Sequence, residues 1–235
     1  MTDIYFIRHG QASFGSSNYD QLSELGLKQA NILADYLIEM EAYFPVIFSG
    51  SLNRQIDTAR IVLSKLKEND VGSQLVILPE FDEFDVSSFL KANTADMIKD
   101  DPSFKEIIEK ALIEKESFKN AFIKILHCSL SEKYNRKGTE TYKSFKSRII
   151  KGIEKVIKKS GNQKKVAVFT SGGVLSVILQ KATGLSDKQA INLVWEFANT
   201  SISVFFPEDG ELKLKLDRSV VHLINKKDNE ILTYI

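Results

Sequence analysis

Apolar and polar positions alternate along this chain in two registers, and the switching between them predicts the elements. Ile4–Ile7 is a short apolar run of β-branched and aromatic residues, the pattern of a buried strand. Ser23 opens a helical pattern to about Met40, with Leu27, Ala30, Leu33, Ala34 and Leu37 recurring at spacings of three and four. Pro45–Ser49 is a second strand, and Asn53–Leu66 follows as a helix. Leu75–Leu78 is a third strand, ended by Pro79. Strands alternating with helices imply a mostly parallel sheet covered on both faces.

The middle breaks that rhythm. From about Phe89 to Ser160 the chain is rich in lysine and glutamate and mostly helical, with Pro102 and Asn135–Gly138 as punctuation. The pattern predicts an inserted helical layer over about 89–160, whose last helix (about Glu140–Lys159) returns to the sheet. Lys165–Thr170 is the next strand and Gly173–Ala182 the next helix. Asp187 is expected to cap another short helix. Ser201–Phe206, Glu211–Asp217 and Ser219–Ile224 have strand patterns, with Glu208–Gly210 as a turn carrying the Asp-Gly hairpin signal. Without an internal repeat or a low-complexity linker, the chain is expected to form one domain with a helical insertion.

Composition narrows the partners. Hydrophobic residues make up 43% of the 235, enough for a core and against wholesale disorder. The 32 basic and 31 acidic residues nearly cancel, so no global field favours nucleic acid or an acidic membrane, and any cationic site must be local. The one cysteine, Cys128, forms no intramolecular disulfide and lies in an apolar helical pattern, where an inert thiol is expected. No apolar run is long enough to span a membrane and no signal-peptide pattern is present, so a cytoplasmic protein is expected. His9, His127 and His222 are scattered and give no zinc-site spacing.

In an open α/β sheet, ligands sit beyond the carboxyl ends of the strands. Those ends carry Arg8-His9-Gly10-Gln11, then Ser49–Arg54, the acidic Glu80–Asp85, and Thr170-Ser171-Gly172-Gly173. The set suits a phosphate. Arginine offers paired donors to its oxygens. A helix N-terminus after Gly-Gly offers free N–H groups and the positive end of a dipole. A neutral imidazole is a nucleophile near pH 7, and a nearby carboxyl group can protonate a leaving oxygen.

The same segments resemble the histidine phosphatase superfamily, the fold of the cofactor-dependent phosphoglycerate mutases. IYFIRHGQAS matches its Arg-His-Gly signature, and LSELGLKQA resembles its Leu-Thr-x-x-Gly-x-x-Gln-Ala helix start. SLNRQIDTA is similar to Pro-Leu-x-Arg-Ala-x-Gln-Thr-Ala, with Ser51 in place of proline. FDEF stands where the family has its acid, GTETYKSFKSR resembles the Gly-Glu-Ser…Arg segment, and TSGG and Asn199-Thr200-Ser201 match the closing motifs. The resemblance implies a three-layer α/β/α sandwich, phosphoglycerate mutase-like, with a mostly parallel sheet and a helical cap. It implies His9 as the phosphorylated nucleophile, Arg8 and Arg54 gripping the phosphoryl oxygens, Glu83 as proton donor, and neither metal nor cofactor.

One departure stands out. The family's second histidine belongs in Ser-His-Gly-Gly, and Ser171 holds that place here. Serine donates one hydrogen bond without charge, supported by the Gly172 N–H, and Ser171 reads equally as a helix cap. Asp82 and Asp85 are alternatives to Glu83 as the donor. Gln11 and Asn18 lie in the loop after His9, placed either to contact phosphate or to make ordinary loop hydrogen bonds. His222 is a candidate replacement for the missing imidazole, although a structural histidine is the commoner outcome. Trp195 and Phe197 are expected to pack the sheet. Phe84, Phe89 and Tyr142 are expected in the core, with a place at the substrate entrance as the alternative. The expected function is hydrolysis of a small-molecule phosphomonoester through phosphohistidine at His9. The alternatives are a weakened or inactive phospho-ligand binding module and mutase-type phosphoryl transfer. The strand-like C-terminal segments leave room for a homodimer.

Overall fold

The computed structural model describes residues 2–16, 18–68, 72–224 and 230–235. Its centre is a six-stranded sheet with spatial order β3-β2-β4-β1-β5-β6, from β1 (Asp3–Arg8), β2 (Val46–Ser49), β3 (Gln74–Ile77), β4 (Lys165–Thr170), β5 (Ile202–Glu208) and β6 (Glu211–Ser219). The first four strands are mutually parallel, while β5 and β6 run antiparallel at one side. Helices cover both faces, as a sheet with apolar residues on both sides requires. The architecture is the three-layer α/β/α sandwich that the resemblance implied, with the sheet covered on both faces as the alternating pattern predicted.

Each strand divides its residues between two cores with the period of two that a pleated chain enforces. Ile4, Phe6, Phe48, Val166 and Val168 pack one face; α6 (Tyr142–Ser160), α7 (Gly172–Thr183) and the inserted helices cover it. Ile7, Ile47, Ala167 and Phe169 pack the other, beneath α1 (Glu24–Glu39) and α2 (Asn53–Glu68). Phe6 anchors the first core, with Phe81 and Phe205 edge-on to it at 6.0 and 5.7 Å. The inserted layer is α3 (Val86–Asp100), α4 (Phe104–Ala111) and α5 (Lys115–Cys128), and α6 returns the chain to the sheet. No helix among the described residues is long and apolar enough to cross a membrane.

Local chemistry sets the helix starts. The Ser23 side chain accepts from Gly26 N–H to open α1, and Thr141 and Ser144 form a reciprocal capping box at α6. Two expectations need correction. Ser186, not Asp187, caps the short helix α8 (Asp187–Asn192), because its hydroxyl reaches Gln189 N–H; Asp187 turns instead to Lys146 and Gln180. Ser219–Ile224 is not a strand. β6 stops at Ser219, and Val221–Ile224 forms a helical turn, α9. Burial explains the change: Leu223 packs with Ile32 of α1 and Ile231, and the His222 ring lies 5.6 Å from that of Tyr36. A continued edge strand would leave both side chains in water.

Candidate active site

His9 stands at the carboxyl end of β1, fixed on both sides of its backbone. Its N–H donates to Thr170 O at 2.9 Å, and its carbonyl accepts from Asn199 Nδ2 at 3.2 Å and Thr200 N–H at 3.3 Å. The next residue must be glycine, because a Cβ on Gly10 would lie 2.5 Å from Gly26 O in the first turn of α1. The imidazole Nδ1 is 2.7 Å from the Gly10 carbonyl, which can only accept, so Nδ1 carries the proton. Nε2 is therefore the lone-pair nitrogen, and it accepts from Arg54 Nε at 3.1 Å. Burial, then Arg54 and Arg8, hold the His9 pKa well below the usual histidine value. At neutral pH the ring is uncharged and its lone pair faces a guanidinium.

The two arginines come from different elements. Arg54 sits in the first turn of α2, its guanidinium 5.4 Å from the Tyr19 ring and its Nη1 2.6 Å from Asp20 Oδ1. The other Asp20 oxygen accepts from Asn53 N–H at 2.8 Å, so one carboxylate caps α2 and steadies Arg54. The Arg8 Nη1 donates to the carbonyls of Phe197 and Tyr234, and its guanidinium lies 5.6 Å from the Trp195 ring centre. Burial pushes the Arg8 pKa down to about 10, which leaves it a cation at neutral pH. Its Nε is buried with no hydrogen-bond partner, a state that costs free energy until an acceptor arrives.

The other wall is the N-terminus of α7. There Gly173 N–H donates to Glu83 Oε2 at 2.9 Å, while Glu83 Oε1 accepts from Phe84 N–H at 2.9 Å. A Cβ on Gly173 would fall 2.1 Å from Glu83 Oε1, so the glycine is what admits the carboxylate. The other two acids of this loop have different partners. Asp82 binds the backbone and hydroxyl of Ser51, and Asp85 caps α3 through Ser88 N–H at 3.0 Å. Arg148 holds the loop from outside: its Nη1 donates to the carbonyls of Pro79, Glu80 and Asp82, and its Nε and Nη2 grip both oxygens of Glu140.

These walls enclose a cavity of about 940 Å³ lined by Arg8, His9, Arg54 and Glu83. The structure does not bring every candidate there. Ser171 and Gly172 lie outside the lining. Ser171 occupies the N-cap position of α7, but its buried hydroxyl makes no cap bond and accepts from Gln55 Nε2 at 2.8 Å. Gly172 packs under Val194, whose carbonyl would lie 2.6 Å from an added Cβ. Gln11 and Asn18 make loop hydrogen bonds, Gln11 Oε1 with the Ser23 hydroxyl at 2.8 Å and Asn18 Oδ1 with Asp20 N–H at 3.1 Å. His222 does not replace the missing imidazole: it is buried behind Thr200, its Nε2 2.9 Å from the Thr200 hydroxyl. Among the described residues no group of three or more His, Cys, Asp or Glu side chains is placed to share a metal ion.

The cavity also holds residues that the sequence reading assigned elsewhere or missed. Phe84 belongs to the core and also lines the cavity, so both of its expected places hold. Trp195 packs against the core as expected and lines the cavity too, whereas Phe89 and Tyr142 belong to the core alone. Tyr19, Asp20, Phe118 and Phe122 line it too. Tyr19 and Asp20 directly follow Asn18, but a Tyr-Asp pair in a loop carries no spacing that points to Arg54. Phe118 and Phe122, four apart on α5, have the period of an ordinary core stripe.

Comparison with known proteins places this geometry. The family model for the histidine phosphatase superfamily (branch 1) matches residues 4–121 and 114–218. No curated protein matches the chain at a significant level. Solved structures with the same fold include a mutant phosphoserine phosphatase from Entamoeba histolytica in complex with phosphoserine, 17% identical, with a TM-score of 0.64 over 95% of this chain and 100% of that one. A mycobacterial glucosyl-3-phosphoglycerate phosphatase with inorganic phosphate is 16% identical, with a TM-score of 0.62 over 95% and 100%. The α-ribazole phosphatase from Shigella flexneri is 19% identical, with a TM-score of 0.61 over 93% and 96%.

Proposed function

Because the chain belongs to the histidine phosphatase superfamily (branch 1), we propose that it hydrolyses small-molecule phosphomonoesters through a phosphohistidine at His9. The observation that carries this reading is the His9 ring itself: uncharged, protonated on Nδ1, with its Nε2 lone pair facing Arg54 in an open cavity.

In the first half-reaction Nε2 attacks phosphorus in line with the ester oxygen. The P–N bond forms, the P–O bond breaks, and Glu83 gives a proton to the departing alkoxide. The Gly10 carbonyl stabilises the imidazolium character that develops on the ring. Arg54 and Arg8, both in the cavity lining beside His9, receive the charge on the equatorial oxygens. In the second half-reaction water takes the alcohol's place, Glu83 accepts its proton, the P–N bond breaks, and phosphate leaves. Asp82, Glu83 and Asp85 all line the cavity, but Asp82 is engaged with Ser51 and Asp85 caps α3, which leaves Glu83, set against the N-terminus of α7, as the acid that suits both steps.

A second reading has an observation behind it. Ser171 stands where the family pattern has histidine, and its hydroxyl is turned to Gln55 rather than the cavity. A module that binds phosphorylated ligands with little turnover would fit that loss. Mutase-type transfer is disfavoured, since among the described residues the cavity lining offers no further free cation to hold a second anionic group of a sugar acid. Mixing with a ³²P-labelled monoester and quenching in alkali, which preserves phosphohistidine, separates the readings. The enzyme is expected to carry label that His9→Ala lacks, with release of inorganic phosphate. Binding of vanadate without label or turnover across a broad panel of esters would establish the binding module instead.

A further inference from the structure

We infer that the substrate's leaving group is a flat aromatic or heteroaromatic one without a carboxylate, held by a ring-lined subsite on the inserted layer. The inference rests on the phosphoryl-site reading of His9 and goes beyond it to the class of alcohol.

Two observations carry it. The first is the distribution of charge. The cations lining the cavity are Arg8, Arg54 and Arg148. Arg8 and Arg54 flank His9 and belong to the phosphoryl group. Arg148 is saturated, with both Glu140 oxygens and three backbone carbonyls as acceptors. The remaining charged lining residues are acidic, among them the exposed Asp85. A second anion on the substrate would therefore be desolvated with no further cation among the described residues to receive it, which is unfavourable.

The second observation is the wall beyond the arginines. Tyr19, Phe118, Phe122 and Trp195 all line the cavity and form one cluster through Phe118 and Trp195: Phe118 lies 5.6 Å from Tyr19 and 5.9 Å from Trp195, and Phe122 lies 5.3 Å from Trp195. The indole is fixed, because its Nε1 donates to Lys119 O at 3.2 Å and so ties the turn at 194–196 to α5. The rings are thus a built surface, preorganised to stack a planar group. The volume fits: a cavity of about 940 Å³ is far larger than a phosphoryl group.

Non-hydrolysable ligands test the subsite apart from turnover. Calorimetric titration of the intact chain would compare 3-phenylpropylphosphonate, 2-carboxyethylphosphonate and inorganic phosphate. The aryl ligand is expected to bind about tenfold or more tightly than the carboxylate, roughly the value of one good ring contact. Phe118→Ala is expected to abolish most of that preference while the phosphate Kd stays within about twofold. Phe118→Leu keeps apolar volume and is expected to lose most of the preference too, which guards against a variant that merely folds poorly. Equal or tighter binding of the carboxylate ligand, or equal weakening of all three ligands in both variants, would overturn the inference. An intact aryl preference without phosphohistidine label would sink hydrolysis alone, and absence of phosphate binding would sink the phosphoryl site itself.

Discussion

The two walls on either side of His9 are built differently. On the β1 side the fixed groups belong to the cavity lining: the imidazole is oriented by Gly10 O, and Arg8 is held by the carbonyls of Phe197 and Tyr234. On the α7 side the polar groups satisfy one another. Gln55 Nε2 bridges Ser171 Oγ and Phe81 O, Thr170 Oγ1 also donates to Phe81 O, and Glu83 takes the Gly173 N–H. One wall is prepared for an incoming anion and the other is closed on itself, except for Glu83. The difference teaches that the polar groups around Ser171 are consumed by a local network rather than offered to the cavity.

Glu83 is where that contrast breaks most sharply. Glu83→Gln can keep one of the two backbone N–H bonds, from Gly173 or from Phe84, and under the proposed mechanism it removes the proton given to the leaving oxygen. Turnover of an alkyl phosphate is expected to fall on the order of 10²–10⁴-fold, the usual worth of a positioned general acid. The loss should be much smaller for p-nitrophenyl phosphate, whose leaving group departs without a proton. Steady-state rates on both esters check it; an equal loss on both would mean that Glu83 only shapes the loop.

A smaller effect concerns Ser171. The family pattern that SLNRQIDTA resembles has alanine where Gln55 stands, and the Ser-His-Gly-Gly pattern that TSGG resembles has histidine where Ser171 stands. Here the Gln55 amide lies 2.8 Å from Ser171 Oγ, in the volume an imidazole would need. Ser171→His alone is therefore expected to leave turnover unchanged or lower, through overpacking. Ser171→His with Gln55→Ala is expected to raise it by about 10- to 100-fold, part of the effect of one restored donor. A gain in the single variant equal to that in the double one would show that Gln55 does not fill the gap.

Much of this was legible along the chain, and the reason is physical. Strands buried on both faces have strong apolar runs, so β1, β2 and β4 fell within a residue or two of expectation. His9, Arg8 and Arg54 come from strand ends and a helix start, where topology alone fixes the side of the sheet. What the sequence hid depends on contacts between distant segments. Ser171 turning to Gln55, Arg54 pairing with Asp20, and Trp195 facing the cavity are choices of side-chain direction made by tertiary packing. The helical turn at Val221–Ile224 was hidden for the same reason, since a four-residue apolar segment fits either period and packing against α1 decided it.

The least visible difference between the walls lies behind His9, where His222 is buried on the far side of the Thr200 backbone that holds the His9 carbonyl. Burial lowers the His222 pKa from 6.5 to about 4, and its Nδ1 has no partner in the fold. Between those two values the unfolded chain binds a proton that the folded chain does not, so stability rises with pH through that window and falls on acidification. From pH 7 to pH 5 the loss from this group is about 2 kcal/mol. His9, also lowered by burial, acts in the same direction. Urea denaturation at the two pH values is expected to show the loss in the wild type. His222→Gln keeps a group able to reach Thr200 but cannot titrate, and should show a loss smaller by about that amount. An unchanged loss in the variant would mean that His222 protonates without cost, and that the wall behind His9 is open to water.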